Sequence, residues 1–200
     1  MSVLIGIPAA GASSRMGGID KLTQEVGRGI PLLARTVKTA QDTGQPVIVV
    51  SNGDIQREKI LTDASQNKLT IIPATDPTLG LSASIRDLAN WAEVHSEITG
   101  LMIFLADMPD ITAVDLNSMT AAFALDPETP LRATSADGEP GHPVIFPRRL
   151  FADLKQITGD TGAKSILVKH PANYVALPNI HATTDLDTPK DWEKWRKRVG

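Results

Sequence analysis

Hydrophobic positions in the first half of the chain fall into short unbroken runs, separated by longer stretches in which they recur every three or four residues. Residues 3–7 (VLIGI), 46–51 (PVIVVS), 69–72 (LTII) and 101–106 (LMIFLA) are such runs, and their length and branching predict strands covered on both faces. Residues 31–41, 54–64 and 82–95 carry the helical period between them. Strand and helix in alternation predict an α/β fold with a mostly parallel central sheet and helices on both faces. A further helix is expected after Ile111, with Thr112 as its cap and Asp115 at the third position, ending at the DPETP break of residues 126–130.

The pattern changes in the second half. A turn-rich stretch, TSADGEPGHP, leads into the apolar VIF of residues 144–146. Helices are predicted at 148–157, 162–170 and 189–198, with a short strand at 175–177. Trp192 and Trp195, three apart in the last helix, share one face and read as packing residues. No linker divides the chain, so residues 1–200 read as one domain whose second half adds edge strands and a lid to the same sheet.

Composition narrows the chemistry. The chain has no cysteine, which excludes disulfides, thiol nucleophiles and thiolate metal sites. Its net charge of −3 offers nucleic acid no global positive field, so an anionic ligand needs a local cluster of cations. No apolar run approaches the roughly 20 residues of a membrane helix, and no basic leader opens the chain. The expectation is a cytoplasmic protein.

Candidate chemistry gathers where an open parallel sheet binds ligands, beyond the carboxyl ends of its strands. The loop PAAGASSRMGGIDK (residues 8–21) follows the first strand. It is not a P-loop, because no Lys-Ser or Lys-Thr follows its glycines, and Ser13 breaks the dinucleotide fingerprint. Arg15 stands where a nucleophile elbow needs its last glycine. Its glycines and Ser13 and Ser14 nevertheless supply close donors, and Arg15 and Lys21 the charge that phosphate requires. Asp107, after LMIFLA, is placed to hold Mg²⁺ or to cap a turn. Asp187 in DLDTP is the second candidate ligand, with Asp185 as its rival; alternation along an extended segment turns one of them into the cleft. Alternatively Thr188 or Asp187 caps the last helix ahead of Pro189. Ser82 is a candidate cap for a helix beginning near Ala83. His95, His170 and His181 have no partners at metal-ligand spacing.

The loop resembles the signature of cytosolic nucleotidyltransferases, and five later segments follow in the same order: GLSASI (80–85), LADMP (105–109), GHPV (141–144), GDTGA (159–163) and DLDTP (185–189). Together they cover nearly the whole chain and resemble the molybdenum cofactor cytidylyltransferase family. The resemblance implies a Rossmann-like nucleotidyltransferase three-layer sandwich, with a nucleotide-binding half (1–111) and an acceptor-binding half (112–200). It implies transfer of CMP from CTP to molybdopterin with release of pyrophosphate, aided by Mg²⁺, and a molybdoenzyme as recipient of the product. Guanylyl transfer, a sugar or polyol phosphate acceptor, and a non-catalytic cofactor chaperone are the alternatives. On this resemblance Arg15, Lys21 and Asp107 are catalytic, and Asp107 and Asp187 hold the metal. Ala9, Ala10, Gly11, Ser13, Ser14, Arg15, Gly17 and Lys21 contact the nucleotide, with Thr75, Gly80, Leu81 and Ser82 beside its base and ribose. Gly141, His142 and Asp160 face the acceptor. Ala-Ala-Gly at 9–11 goes with cytidine in that family. Pro8, residues 23–25 (TQE) and the missing lysine in residues 28–31 (RGIP) depart from its pattern.

Overall fold

The computed structural model describes residues 2–64, 69–159 and 163–200. Seven strands form one sheet in the order β3-β2-β1-β4-β6-β5-β7. They are β1 (Ser2–Ala9), β2 (Val47–Ser51), β3 (Leu69–Pro73), β4 (Ile98–Ile103), β5 (Leu131–Thr134), β6 (Pro140–Pro147) and β7 (Asn173–Ala176). β6 is antiparallel to both its neighbours, whereas the pairs β1–β2, β1–β4, β2–β3 and β5–β7 are parallel. The α/β fold, with its mostly parallel central sheet, is as expected.

Alternation along the strands builds a core on each face. Val3, Ile5 and Ile7 of β1 join Val47, Val49 and Met102 on one side, beneath α1 (Leu32–Gln41), α2 (Ile55–Ala64), α4 (Ala113–Phe123) and α7 (Pro189–Val199). Leu4, Ile48, Val50, Leu101 and Ile103 face the other side, against α3 (Gly80–Val94), α5 (Phe151–Leu154) and α6 (Lys164–Lys169). Gly6 is the exception to the apolar run because the Leu88 methyls of α3 lie 2.7 and 2.9 Å from where its Cβ would stand. Trp192 and Trp195 are buried in the first core as predicted, their rings edge to face. Among the described residues no helix is long and apolar enough to cross a membrane.

Several boundaries differ from the sequence reading. β4 begins three residues before the predicted run, because Ile98 and Gly100 already pair with β1, with a register shift between them. Phe104 then makes a last bond to Gly6 O (3.0 Å), and residues 104–106 leave the ladder toward Asp107. The second half does not supply edge strands alone: β6 lies inside the sheet between β4 and β5, and β7 forms the edge. VIF is buried on both faces, which explains why a segment opening on Pro-Gly-His-Pro still becomes a central strand. Residues 148–157 split into a 3-10 turn (Arg148–Leu150) and α5, and α4 ends at Phe123, ahead of DPETP. Gly162, the expected start of the helix realised as α6, lies outside the described residues.

One close approach fixes the wall of the molecule that β6 opens. A Cβ on Gly141 would stand 1.8 Å from the backbone carbonyl oxygen of Ala182, in the 3-10 turn His181–Thr183. Backbone cannot yield as a side-chain tip does. Gly141→Ala is expected to lower stability by about 3 kcal/mol in urea unfolding. Gly11→Ala, where a Cβ meets nothing within 4 Å, is expected to stay within about 0.5 kcal/mol of the parent.

Candidate active site

The carboxyl ends of β1 and β4 lie side by side, and the opening end of antiparallel β6 comes to the same rim. Residues 10–22 leave β1 as an irregular loop with two 3-10 turns, Ser14–Met16 and Lys21–Thr23. Ser13 is held left-handed (φ 50°), a conformation that an isolated loop would rarely sustain for a serine. Its hydroxyl explains the strain: it donates to Asp20 Oδ1 (3.1 Å) and accepts from Lys21 N (3.2 Å). The loop is therefore closed upon itself just where the lysine begins.

Lys21 stands at the centre of the rim. Its ammonium bonds the carboxylates of both Asp107 and Asp187, and Arg15 Nη1 reaches Asp187 Oδ2 at 2.5 Å. Lys21 and Asp107 side chains are each 15% exposed, whereas Arg15 is 72% exposed. Burial by itself would lower the lysine's pKa, but the two carboxylates outweigh it and hold the ammonium above its ordinary value. Burial likewise raises Asp187, yet Lys21 and Arg15 prevail and keep its carboxyl below the usual range.

Asp185 and Asp187 flank Leu186, which is fully buried and donates its N–H to Asp107 O (3.0 Å). Both aspartates line the cleft, which corrects the expectation that alternation admits only one. Asp185 makes no ion pair among the described residues. Partial burial and the charges of Asp107, Asp187 and Asp191 raise its pKa. The capping role falls to Thr188: it and Asp191 form a capping box at α7, leaving Asp187 to the cleft.

A cavity of about 420 Å³ opens here, lined by Gly11, Ser13, Ser14, Arg15, Lys21, Gly80, Leu81, Ser84, Asp107, Asp185 and Asp187 among others. Of the expected nucleotide residues, Ala9 and Ala10 are buried behind the loop, and Gly17 is exposed outside the lining. Thr75 is likewise outside it, bonded through N and Oγ1 to Asp87 of α3. Ser82 is not a cap: α3 starts at Gly80 with Leu79 before it, and the buried Ser82 hydroxyl donates to Gly159 O. Arg57 and Asp20 were not singled out by sequence. Arg57 is 2% exposed and donates to Asp20 Oδ2 (2.6 Å), Asp20 Oδ1 (2.7 Å), Ala9 O (2.6 Å) and Gly11 O (2.8 Å). An arginine in a polar helix carries no sign of this in sequence.

A second cavity, of about 530 Å³, shares Leu81, Leu105, Asp185 and Asp187 with the first. Its floor includes Ile85, Ile103, Val144 and Phe146, and its polar lining includes Arg132, Glu139, His142 and Lys164. Gly141, His142 and Ser82 lie in it; Asp160 lies outside the described residues. Burial, with Arg132 and Lys164 nearby, pushes the His142 imidazole down to about 4, and its buried Nδ1 has no hydrogen-bond partner among the described residues. His181 is a support: its Nδ1 lies 3.0 Å from Asp115 Oδ2, the carboxylate of the predicted capping box with Thr112.

Asp107 Oδ1 is also buried without a partner among the described residues, an oxygen that a cation would satisfy. Among the described residues no group of three His, Asp or Glu side chains is arranged to hold a metal alone. Mg²⁺ is commonly bound by one or two carboxylates together with substrate phosphates, and this donor set fits that habit.

Comparison with known proteins agrees with the geometry. The MobA-like NTP transferase domain matches residues 5–174. No curated protein has a significant match to the chain. The Rv0371c homolog from mycobacterium sp. strain JC1 has 28% identity and a TM-score of 0.82, with 98% of this chain and 96% of that one covered. Rv0371c from Mycobacterium tuberculosis H37Rv is 25% identical with a TM-score of 0.79, each chain covered to 98%. A structure of the same mycobacterial protein as a manganese complex gives 23% identity and 0.75 over the whole of both chains. The fold is the Rossmann-like nucleotidyltransferase fold.

The His142 environment has a consequence for stability. Between pH 6.5 and about 4 the unfolded chain takes up a proton that the folded imidazole refuses, so stability falls as pH is lowered through that window. His142→Asn is expected to remove about 1–3 kcal/mol of that decline. Urea midpoints of both proteins at pH 7 and pH 4.5 measure it; parallel declines would contradict the assignment.

Proposed function

Because the chain belongs to the MobA-like NTP transferase family, we propose that it transfers CMP from CTP to molybdopterin and releases pyrophosphate. The observation that carries this reading is the Lys21 ammonium, held against Asp107 and Asp187 at the mouth of a loop rich in donors. The first cavity takes the triphosphate and nucleoside, with Gly11, Ser13, Ser14, Arg15, Lys21, Gly80 and Leu81 around them. Ala9 and Ala10 bear on the base only through the backbone path they set. The second takes the acceptor, with Gly141 and the neutral His142 beside it and Arg132 and Lys164 for its phosphate. On this division residues 1–111 form the nucleotide-binding half of one domain and residues 112–200 the acceptor-binding half.

An acceptor phosphate oxygen attacks the α-phosphorus; the new P–O bond forms as the bond to the β-phosphate oxygen breaks. The attacking oxygen is already ionised at neutral pH, so no side chain need remove a proton. Lys21 and Arg15 neutralise charge on the triphosphate and departing pyrophosphate, and the rim aligns the two substrates. Asp107 and Asp187 are the residues to hold Mg²⁺, which when bound screens the phosphate charges. A molybdoenzyme is the expected recipient of the product.

CTP is supported by Ala9-Ala10-Gly11 and, at the level of fold, by CMP-2-keto-3-deoxy-manno-octonic acid synthetase, known complexed with CTP (13% identity, TM-score 0.74).

Incubation with molybdopterin, Mg²⁺ and each of the four nucleoside triphosphates tests the proposal. Pyrophosphate is expected with CTP foremost and none after chelation of the metal; none with any triphosphate would refute it. Lys21→Ala and Asp107→Asn are each expected to lower kcat/KM by at least about a hundredfold, about 3 kcal/mol of transition-state stabilisation, while circular dichroism stays unchanged.

A further inference from the structure

α2 presents mainly polar side chains to solvent, and its buried residues are Arg57 and Leu61. Asp54 Oδ1 accepts from Gln56 N and Arg57 N, which fixes Arg57 in the first turn, on the side facing the loop after β1. A guanidinium removed from water is costly unless its donors are met and its charge paired. Here both conditions hold: a two-point pair with Asp20 and bonds to Ala9 O and Gly11 O.

These partners are not adjacent in the chain. Ala9 ends β1, Gly11 lies at the start of the loop, and Asp20 lies near its end, immediately before Lys21. Asp20 Oδ1 also receives Leu22 N (3.1 Å) and the Ser13 hydroxyl, which in turn receives Lys21 N. Burial would raise the Asp20 carboxyl, but Arg57 and these donors keep it ionised below its ordinary value. The two carbonyls bonded to Arg57 are occupied, and so do not confront a polyanion in the cleft. Arg57 itself lines neither cavity.

We propose that Arg57 is a positioning residue that joins the beginning of the phosphate-facing loop to its end and thereby fixes where Lys21 stands. The role needs a planar fork: one edge meets a carboxylate while the remaining donors meet two carbonyls, which a lysine cannot reproduce. The activity arm of the test rests on the nucleotidyl-transfer reading; the exchange arm does not.

Three single variants separate positioning from mere support: Arg57→Lys, Asp20→Asn, and Leu61→Ala, a buried residue of the same helix whose side chain makes no hydrogen bond to the loop. Pyrophosphate release with CTP, Mg²⁺ and molybdopterin, melting temperature, and amide hydrogen exchange of residues 9–22 relative to β2 are measured on each. Arg57→Lys and Asp20→Asn are expected to lower kcat at least tenfold and to speed exchange in residues 9–22 selectively. Their double variant is expected to lose no more than the worse single. Leu61→Ala is expected to lower the melting temperature yet keep kcat where it is folded. Should Arg57→Lys not fold, Asp20→Asn decides alone. Unchanged kcat in the folded variants, or kcat losses that merely follow melting temperature across all three, overturns the proposal. If the parent releases no pyrophosphate, the functional reading fails and exchange decides: faster in residues 9–22 upholds the clamp, unchanged overturns it.

Discussion

An ammonium shared by two carboxylates joins parts of the chain 166 residues apart, and the arrangement of the cleft depends on it. Lys21 ends the loop after β1, Asp107 follows the stretch leaving β4, and Asp187 precedes α7. Each pair is sheltered enough that removing one partner leaves an uncompensated charge, which costs more than a surface ion pair ever supplies. Sheet order places the first two together, because β1 and β4 are parallel neighbours and end at one rim. The third arrives by a backbone bond, Leu186 N to Asp107 O, with buried Leu186 as its anchor.

Much of what surrounds that interaction keeps other groups from competing for it. Thr188 and Asp191 close the start of α7, so Asp187 need not serve the helix. Thr112 and Asp115 do the same for α4, and Asp115 also holds His181, which sits in the turn pressed against Gly141. Helix caps and one glycine thus shape the wall of the second cavity, although none of them bears on phosphate directly.

The first half was legible because β1 and β2 are almost wholly buried and α1 is amphipathic; even the edge strand β3, partly exposed against the expectation of cover on both faces, follows the hydrophobic pattern within two residues, as β1, β2 and α1 do. The capping box of α4 was legible because Thr112 and Asp115 at a three-residue spacing encode it locally, whereas at α7 the sequence left Thr188 and Asp187 as alternative caps. β6 was not, since a central position is decided by what packs over Val144, Ile145 and Phe146, and the preceding Pro, Gly and His speak only for a turn. Among candidate site residues, Lys21, Arg15 and Asp107 could be found as charges beyond strand ends, and Asp187 as a carboxylate ahead of the last helix. Arg57 could not: its partners lie 46 and 48 residues away at Gly11 and Ala9, and on a polar helix a buried arginine reads like a solvated one. Ser82 misled for a related reason, because the helix start was set at Gly80, where φ is 67°, and not by a hydroxyl.

The boundary between the cavities brings the physical demand on this site to a point. On the proposed reading two polyanionic substrates meet beside Asp107, Asp185 and Asp187, three carboxylates within a chain of net charge −3. Lys21 and Arg15 cannot both remain on those carboxylates and neutralise a triphosphate, so a ligand entering the cleft must take up their cationic charge and expose the acids. Asp107 Oδ1 is unpartnered among the described residues even with Lys21 in place. On the proposed reading Asp107 and Asp187 would hold a divalent cation in place of the lysine and arginine, leaving those cations free for phosphate. Nucleotide and metal would then stabilise each other's binding, with Lys21 and Arg15 on the acids in their absence.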